Sequence, residues 1–133
     1  MEYFLSQSMT QDKNSNITNI SYNFLNLPNQ ITQQNFTHTQ SNGNVKMVTE
    51  QTTYIHYNAA GQKQMYEVKT SYSDGTQQWE QILYQGIIVY RGTSTSFSQA
   101  PHLQADYMVQ PEGRIRISKN AEQQMTWQVI EII

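Results

Sequence analysis

The segments Asn16-Ile-Thr-Asn-Ile-Ser-Tyr-Asn-Phe-Leu-Asn-Leu-Pro-Asn-Gln-Ile31 and Tyr54-Ile-His-Tyr-Asn-Ala-Ala-Gly61 decide the fold of this chain, because they share one pattern. In both segments a short strand pattern ends in a Tyr-Asn pair, and a turn and another strand follow. A strand-and-turn unit that recurs along a chain indicates a repeat architecture.

Turn signals divide the rest of the chain into short strands. They are Asn42-Gly43, Ala60-Gly61, Asp74-Gly75, Gln85-Gly86 and Glu112-Gly113. The candidate strands are Ile17 to Asn23, Asn29 to Thr39, Val45 to Tyr57, Lys63 to Tyr72, Gln77 to Tyr84, Ile87 to Thr93, Ala105 to Val109, Arg114 to Ser118 and Thr126 to Ile132. Asp74-Gly75 predicts a hairpin most strongly, because Asp-Gly accepts the positive φ angles of a type I′ turn.

Alternation along these strands predicts a sheet with one dry and one wet face. Tyr66, Val68 and Thr70 fall on one side of their strand and alternate with polar residues on the other. No window shows a sustained apolar period of 3.6, so helix is not expected, and Ser96 to Leu103 is expected to be a loop. The sequence therefore predicts an all-β antiparallel meander of about eight strands, as a single curved sheet or a small open barrel.

Composition limits the classes of protein to which the chain can belong. Its 133 residues suit one domain, residues 1–133, and its 8 basic and 10 acidic residues form no patch for nucleic acid. It has no cysteine, and no apolar run approaches the roughly 20 residues of a membrane span. Residues 1–8 lack the basic and apolar regions of a signal peptide, so the chain as written is expected to stay in the cytoplasm.

Catalytic and metal-binding candidates are weak. His38 and His56 could meet across neighbouring strands and bind a metal, with Glu50 nearby, but the sequence identifies no definite third ligand, so we favour exposed polar roles for them. The carboxylates that could form a glycosidase pair are Asp74, Glu80, Asp106 and Glu112. A turn explains Asp74 and a Pro-Glu-Gly corner explains Glu112, so the sequence predicts no enzyme and no cofactor.

Aromatic residues supply the candidate interaction surface. Trp79, Tyr84, Tyr90, Tyr107 and Trp127 could form a platform for sugar rings, with Gln and Asn side chains bonding the hydroxyl groups. The alternative, which we favour, is that Trp79 and Trp127 are buried in the dry face of the sheet.

The C-terminal strand is too apolar to remain exposed. Trp127 and Val129 fall on one side of it, and Ile130 falls on the other. The strand either closes the sheet on itself or pairs with a second copy, and we expect a homodimer. Closure into a small calycin-like barrel would bind an apolar ligand in an internal cavity. Its lining would be Phe24, Leu25, Ile82, Ile88 and Tyr90.

Several motifs resemble the RHS (YD-repeat) family of bacteria, in particular the C-terminal repeats of Bacteroidetes-type RHS proteins. The segment Tyr54-Ile-His-Tyr-Asn-Ala-Ala-Gly-Gln-Lys63 resembles the Tyr-x-Tyr-Asp-x-x-Gly-x-Lys core of the repeat, with Asn58 in place of the usual Asp. The other matching segments are Asp12-Lys-Asn14, Ile17-Thr18, Ile20-Ser-Tyr-Asn-Phe-Leu-Asn-Leu-Pro28, Tyr84-Gln-Gly-Ile-Ile-Val-Tyr90 and Gln110-Pro-Glu-Gly-Arg-Ile115.

The resemblance implies a β-ribbon of repeats over residues 9–117, followed by a divergent C-terminal strand over residues 118–133. In the family, many such repeats form a shell around a C-terminal toxin, and no toxin region follows here. We therefore expect a truncated RHS protein with a non-enzymatic structural or interaction role. The resemblance also suggests a cell-surface or secreted location and carbohydrate binding.

Overall fold

The computed structural model describes residues 9–110, 113–119 and 125–132. Their regular elements are a three-residue 3-10 helix, Lys13–Ser15, and nine strands. The strands are β1 (Ile17–Tyr22), β2 (Pro28–Thr39), β3 (Val45–Tyr57), β4 (Lys63–Tyr72), β5 (Gln77–Gln85), β6 (Ile88–Ser94), β7 (Gln104–Gln110), β8 (Gly113–Lys119) and β9 (Met125–Ile132).

The nine strands form one open sheet in which each strand pairs with the next along the chain. The order from β1 to β9 has no crossover, and every pairing is antiparallel. The prediction of an all-β antiparallel meander is confirmed, as is the loop between β6 and β7.

The strand limits follow the local chemistry. Both limits of β3 and β4 coincide with the predicted ones, because a hydrogen-bonded turn adjoins each end: one turn ends at Asn44, one spans Asn58–Gln62 and one begins at Tyr72. β2 begins one residue earlier than predicted, at Pro28. Proline is tolerated at the first residue of a strand, where its missing N–H removes no ladder bond.

One five-residue turn occurs four times within residues 9–110. In each case the N–H of the fourth residue donates to the carbonyl of the first, and the N–H of the first donates to the carbonyl of the fifth, at 2.7–3.0 Å. The fourth residue always has a positive φ, which glycine and asparagine adopt most readily. The four turns are Asn23–Leu27, Gln40–Asn44, Asn58–Gln62 and Tyr72–Thr76.

The hairpin at Asp74-Gly75 is confirmed, but the type I′ turn is wrong. Gly75 has a φ of 87° and Asp74 is not in the positive-φ region, which a type I′ turn requires of both central residues. Ser73 belongs to the loop as well, so the loop has three residues, and the last of them, Gly75, is the left-handed one.

The two Tyr-Asn turns agree in further detail. The side-chain Oδ1 of Asn23 accepts from the N–H groups of Leu25 and Leu27, at 2.9 and 3.0 Å. In the second turn, Oδ1 of Asn58 accepts in the same way from the third and fifth residues, at 3.0 and 2.9 Å. The strand register also shifts at Tyr22 and again at Tyr57. The pattern shared by the two quoted segments is therefore one local structure.

Cross-strand partners share a face of a sheet, and this defines two faces here. The Val68 face carries Ile20, Ile31, Thr53, Val68, Glu80 and Thr93 in successive strands. The Glu67 face carries Gln30, Tyr54, Glu67, Gln81 and Gly92.

The core lies on the Val68 face. Thr53, Thr70, Tyr72 and Val89 are buried there, and Val48, the most buried side chain, pairs with Tyr72. The predicted dry face is therefore the correct one. Val48, Tyr72 and Val89 form the buried core of the sheet among residues 9–109, and Pro101 is buried in the loop that follows β6, so the sheet has a thin core.

Candidate functional site

The predicted aromatic surface is divided between the two faces. Trp79 pairs with Lys69 and lies on the Glu67 face, and Tyr90 joins it there because it pairs with Leu83. Tyr84 and Tyr107 both pair with Val89, so they lie with it on the Val68 face. The alternative prediction that these four residues share one platform is therefore wrong. The expectation that Trp79 is buried in the dry face is also wrong.

Trp79 is part of a hydrogen-bonded cluster centred on the carboxylate of Glu67. Trp79 Nε1 and Gln81 Nε2 donate to Glu67 Oε1 at 3.0 and 2.7 Å, and His56 Nε2 lies 2.6 Å from Glu67 Oε2. The side chain of Glu67 is 13% exposed. Burial alone would raise the pKa of Glu67, but hydrogen bonds from Gln81, His56 and Trp79, with the charge of His56, hold it below 4.5.

The ring of Trp79 also contacts a cation. The ammonium of Lys69 lies 4.2 Å from the centre of the Trp79 ring, 5.5 Å from that of Phe97 and 6.0 Å from that of Tyr54. The backbone N–H of Phe97 donates to Gln77 Oε1 at 3.1 Å. These contacts fasten the loop between β6 and β7 onto the Glu67 face, which gives Trp79 a structural role.

On the Val68 face, an ion-pair network accounts for two of the candidate carboxylates. Arg91 donates to Glu80 at 3.1 Å and to Asp106 at 3.2 Å. Burial raises the pKa of the neighbouring Tyr84, and Tyr107 adds to this effect. Glu112, the fourth candidate, lies outside the described residues.

His38 and His56 are exposed strand residues, as we favoured, and the alternative of a shared metal site does not hold. His38 pairs with Lys46 near one end of β2 and β3, whereas His56 pairs with Met65 near the other end of β3. Glu50 accepts a hydrogen bond from Gln34 instead. No group of three or more His, Asp or Glu side chains suited to a metal ion occurs in the described part of the chain.

The residues predicted to line a barrel cavity are not brought together. Phe24 is 88% exposed and lies with Leu25 on the first Tyr-Asn turn. Ile82 is on the Val68 face, whereas Ile88 and Tyr90 are on the Glu67 face. Because Ile82 lies on the opposite face of the sheet from Ile88 and Tyr90, these side chains cannot line one cavity.

A polar depression, which we call the turn-edge groove, lies where β4 and β6 end and β5 begins. It has a volume of about 430 Å³, and its lining includes Lys46, Tyr72, Thr76, Gln78, Thr93 and Ser96. A second depression of about 160 Å³ shares Tyr72 and Gln78 with it and reaches His38 and Glu80. Sequence reasoning missed this groove, because turn and loop residues from distant positions form it.

The charge of Lys46 in the turn-edge groove is balanced. Its ammonium lies 3.2 Å from Asp74 Oδ2 and 3.1 Å from Thr76 Oγ1, and 4.6 Å from the centre of the Tyr72 ring. Hydrogen bonds from Thr76, supported by Lys46, lower the pKa of Asp74 from 3.8 to about 2. The ion pair therefore persists at neutral pH, and the groove presents hydroxyl and carboxamide groups without an excess charge.

The C-terminal strand β9 is the last strand in the sheet order. Its backbone pairs with β8, with Trp127 opposite Ile117 and Val129 opposite Ile115. The side chains of Trp127, Val129 and Ile130 lie outside the described part of the structure.

Comparison of the chain with protein-family models, curated proteins and solved structures finds no match. Within the described residues, no helix is long and apolar enough to cross a membrane.

Proposed function

We propose that this chain is a non-enzymatic structural and interaction module of the RHS (YD-repeat) type, which extends its sheet by pairing with a second copy. The observation that carries the proposal is the single open sheet, whose strands bury only three apolar side chains among residues 9–109. A single layer of this kind leaves apolar surface uncovered, and further protein can cover it.

The repeated turn supports the RHS part of the proposal. The hydroxyl of Tyr57 donates to the carbonyl of Pro28 at 2.7 Å, and that of Tyr22 donates to the carbonyl of Met9 at 2.6 Å. A Cβ atom added to Gly61 would lie 3.3 Å from Leu27 Cδ1, so the second Tyr-Asn turn packs directly against the first. A ribbon of stacked units uses this kind of nearest-neighbour contact.

The charged side chains support a non-enzymatic role. Each described carboxylate that was a catalytic candidate has a structural partner. Asp74 bonds Thr76 and Lys46, and Arg91 joins Glu80 to Asp106. These pairs hold strands and turns together.

Strand direction supports a two-fold dimer through β9. Nine successive antiparallel strands leave β1 and β9 running in the same direction, so closure of the sheet would pair them in parallel. A two-fold axis beside β9 instead sets two copies of β9 antiparallel, which continues the pattern and gives the slightly more stable pairing.

The opposite edge of the sheet is partly covered. Asp12 exchanges two backbone hydrogen bonds with Ile17, at 3.0 and 2.8 Å, and Met9 accepts from Tyr22 at the other end of β1. The apolar sequence of β9 and this cover on β1 both favour pairing at the β9 edge.

Cysteine cross-linking tests the proposal, because the chain has no cysteine of its own. We expect at least one of Gln128→Cys, Val129→Cys and Ile130→Cys to form a disulfide-linked dimer on mild oxidation, since paired antiparallel residues approach within bonding reach. Asn19→Cys and Ser21→Cys on β1 are the matched controls. Cross-linking at β1 alone, or at none of the five positions, would contradict pairing through β9.

A further inference from the structure

The four copies of the five-residue turn differ in the three residues at their tips. The two Tyr-Asn turns follow β1 and β3 and so lie at one end of the sheet, whereas the other two follow β2 and β4 and lie at the opposite end. At the opposite end the tips are Ser41-Asn42-Gly43 and Ser73-Asp74-Gly75, which are ordinary turn residues. At the Tyr-Asn end they are Phe24-Leu25-Asn26 and Ala59-Ala60-Gly61. The backbone of the turn therefore does not require these apolar side chains.

The tips of the two Tyr-Asn turns form one exposed surface, which we call the apolar tip and which comprises residues 24–27 and 59–61. Phe24 is 88% exposed and Leu25 is 39% exposed, and both alanines of the second turn are exposed as well. The two turns are in contact, because a Cβ atom on Gly61 would lie 3.3 Å from Leu27 Cδ1 and 3.7 Å from Leu25 Cδ1. The ring of Phe24 adds nothing to the core, so its apolar surface is available to a partner.

The backbone of the apolar tip suits an environment with little water. In each Tyr-Asn turn, four of the five backbone N–H groups donate within the turn, two to backbone carbonyls and two to Oδ1 of the first Asn. An unpaired N–H group is costly in an apolar medium, so a segment that enters one needs its donors paired internally. The hydroxyl of Tyr57, which donates to the carbonyl of Pro28, connects the second turn to the strand that follows the first. The tip is thus fixed in shape before it meets a partner.

The charge beside the apolar tip is positive. Residues 22–29 and 55–64 contain no Asp or Glu, and Lys63 begins the strand after the second turn. Lys63 is exposed and forms no ion pair within the described part of the chain, although its ammonium lies 5.6 Å from the centre of the Tyr66 ring. The neighbouring His56 is paired with the carboxylate of Glu67. A cation behind an apolar tip complements anionic headgroups at the boundary of a lipid bilayer.

We propose that the apolar tip docks on a lipid bilayer that contains anionic lipids, with Phe24 and Leu25 in the interfacial region and Lys63 among the headgroups. A bilayer surface accepts a protruding tip without a matching pocket, and the paired N–H groups and the unbalanced cation both favour it over an apolar protein surface. The apolar tip belongs to β1–β4, whereas β9 is at the opposite edge of the sheet, so the proposal does not rest on the dimer.

Co-sedimentation of the full chain with lipid vesicles tests the proposal. The vesicles are pure phosphatidylcholine, or equal parts of phosphatidylcholine and phosphatidylserine, at millimolar lipid. We expect reversible binding with a larger bound fraction on the anionic vesicles. Phe24→Ser should weaken it about five- to tenfold, because part of the transfer free energy of the ring is lost. Lys63→Gln should reduce the preference for anionic vesicles about three- to fivefold.

Val45→Ser is the matched control for Phe24→Ser. Val45 is 62% exposed and lies at the opposite end of the sheet, so this variant should bind as the unaltered chain does. Both exposed positions should leave the urea midpoint unchanged, which separates lost binding from lost folding.

Four outcomes would overturn the proposal. They are an absence of binding to both kinds of vesicle, equal weakening by Phe24→Ser and Val45→Ser, binding to anionic vesicles that Phe24→Ser leaves unchanged, and a lower mass of Phe24→Ser than of the unaltered chain by light scattering without lipid. The third would mean that charge alone attracts the chain, and the fourth that a second copy covers the apolar tip. Because cross-linking at β9 is measured without lipid, failure of this proposal is distinguishable from failure of the proposed module function.

Discussion

Two tyrosine hydroxyl groups connect neighbouring units of the sheet. Tyr57 donates to Pro28 and Tyr22 donates to Met9, both from partly buried positions. We predict that Tyr57→Phe lowers the free energy of unfolding by about 0.5–1.5 kcal/mol, because one hydrogen bond is lost and the ring is kept. Urea denaturation measures this effect.

Tyr90→Phe is the matched control for Tyr57→Phe. The hydroxyl of Tyr90 makes no hydrogen bond within the described residues, so this change should cost much less. Equal losses in the free energy of unfolding of the two variants would show that the Tyr57–Pro28 hydrogen bond does not stabilise the fold.

The carboxylate of Glu67 gives the fold a predictable pH dependence. Its pKa in the folded chain is below 4.5, so it stabilises the fold above that pH, and the contribution is lost as the pH falls through 4.5 towards the folded value. We predict that the stability difference between the unaltered chain and Glu67→Gln is larger at pH 7 than at pH 3. Urea denaturation at the two pH values measures it, and a constant difference would contradict the assignment.

Trp79 shows what residue-level reasoning could and could not predict. Trp79 and Tyr84 lie five positions apart in one strand, and an odd separation places two strand residues on opposite faces. The sequence alone therefore predicts that Trp79 and Tyr84 lie on opposite faces of the sheet. That Trp79 bonds Glu67 and contacts Lys69 depends on the register between β4 and β5, which alternation alone does not determine.

Among the elements, the loop between β6 and β7 depends on one glycine. A Cβ atom at Gly92 would lie 2.6 Å from the carbonyl oxygen of His102 and 3.2 Å from Pro101 Cβ. We predict that Gly92→Ala destabilises the chain by about 1–3 kcal/mol, because the added methyl group must displace this loop. The urea midpoint measures it.

Gln104→Ala on the neighbouring strand is the control for Gly92→Ala. Gln104 is exposed, and surface changes of this kind usually stay within about 0.5 kcal/mol. If Gly92→Ala unfolded at the same urea concentration as the control, the close approach of the loop would not constrain the fold.

The elements themselves were largely predictable. Alternation and turn residues are local properties, and they located the described strands to within one or two residues, as β3 and β4 show. The turn type at Asp74 could not be predicted in this way, because an Asp-Gly pair also suits a three-residue loop that includes Ser73. The turn-edge groove was not predictable either, because it forms only when the register brings Lys46, Thr76 and Ser96 together.

For the whole molecule, the central question is how a single-layer sheet covers its apolar residues. The buried apolar side chains of its strands, Val48, Tyr72 and Val89, lie on the Val68 face, and β9, the last strand in the order, has an apolar sequence. The sequence predicted the single domain and the meander from its periodicity. It could not distinguish a self-closed sheet from a paired one, because strand direction at the two edges decides between them.

Light scattering across a dilution series tests the proposed pairing most directly. The chain has a mass of 15.5 kDa, and we predict twice that mass at high concentration, with dissociation to the monomer only on strong dilution. The variant Val129→Lys should shift this equilibrium towards the monomer, because a charge placed on the paired edge opposes strand pairing. A strict monomer at every concentration would contradict the proposal that the sheet is completed by a second copy.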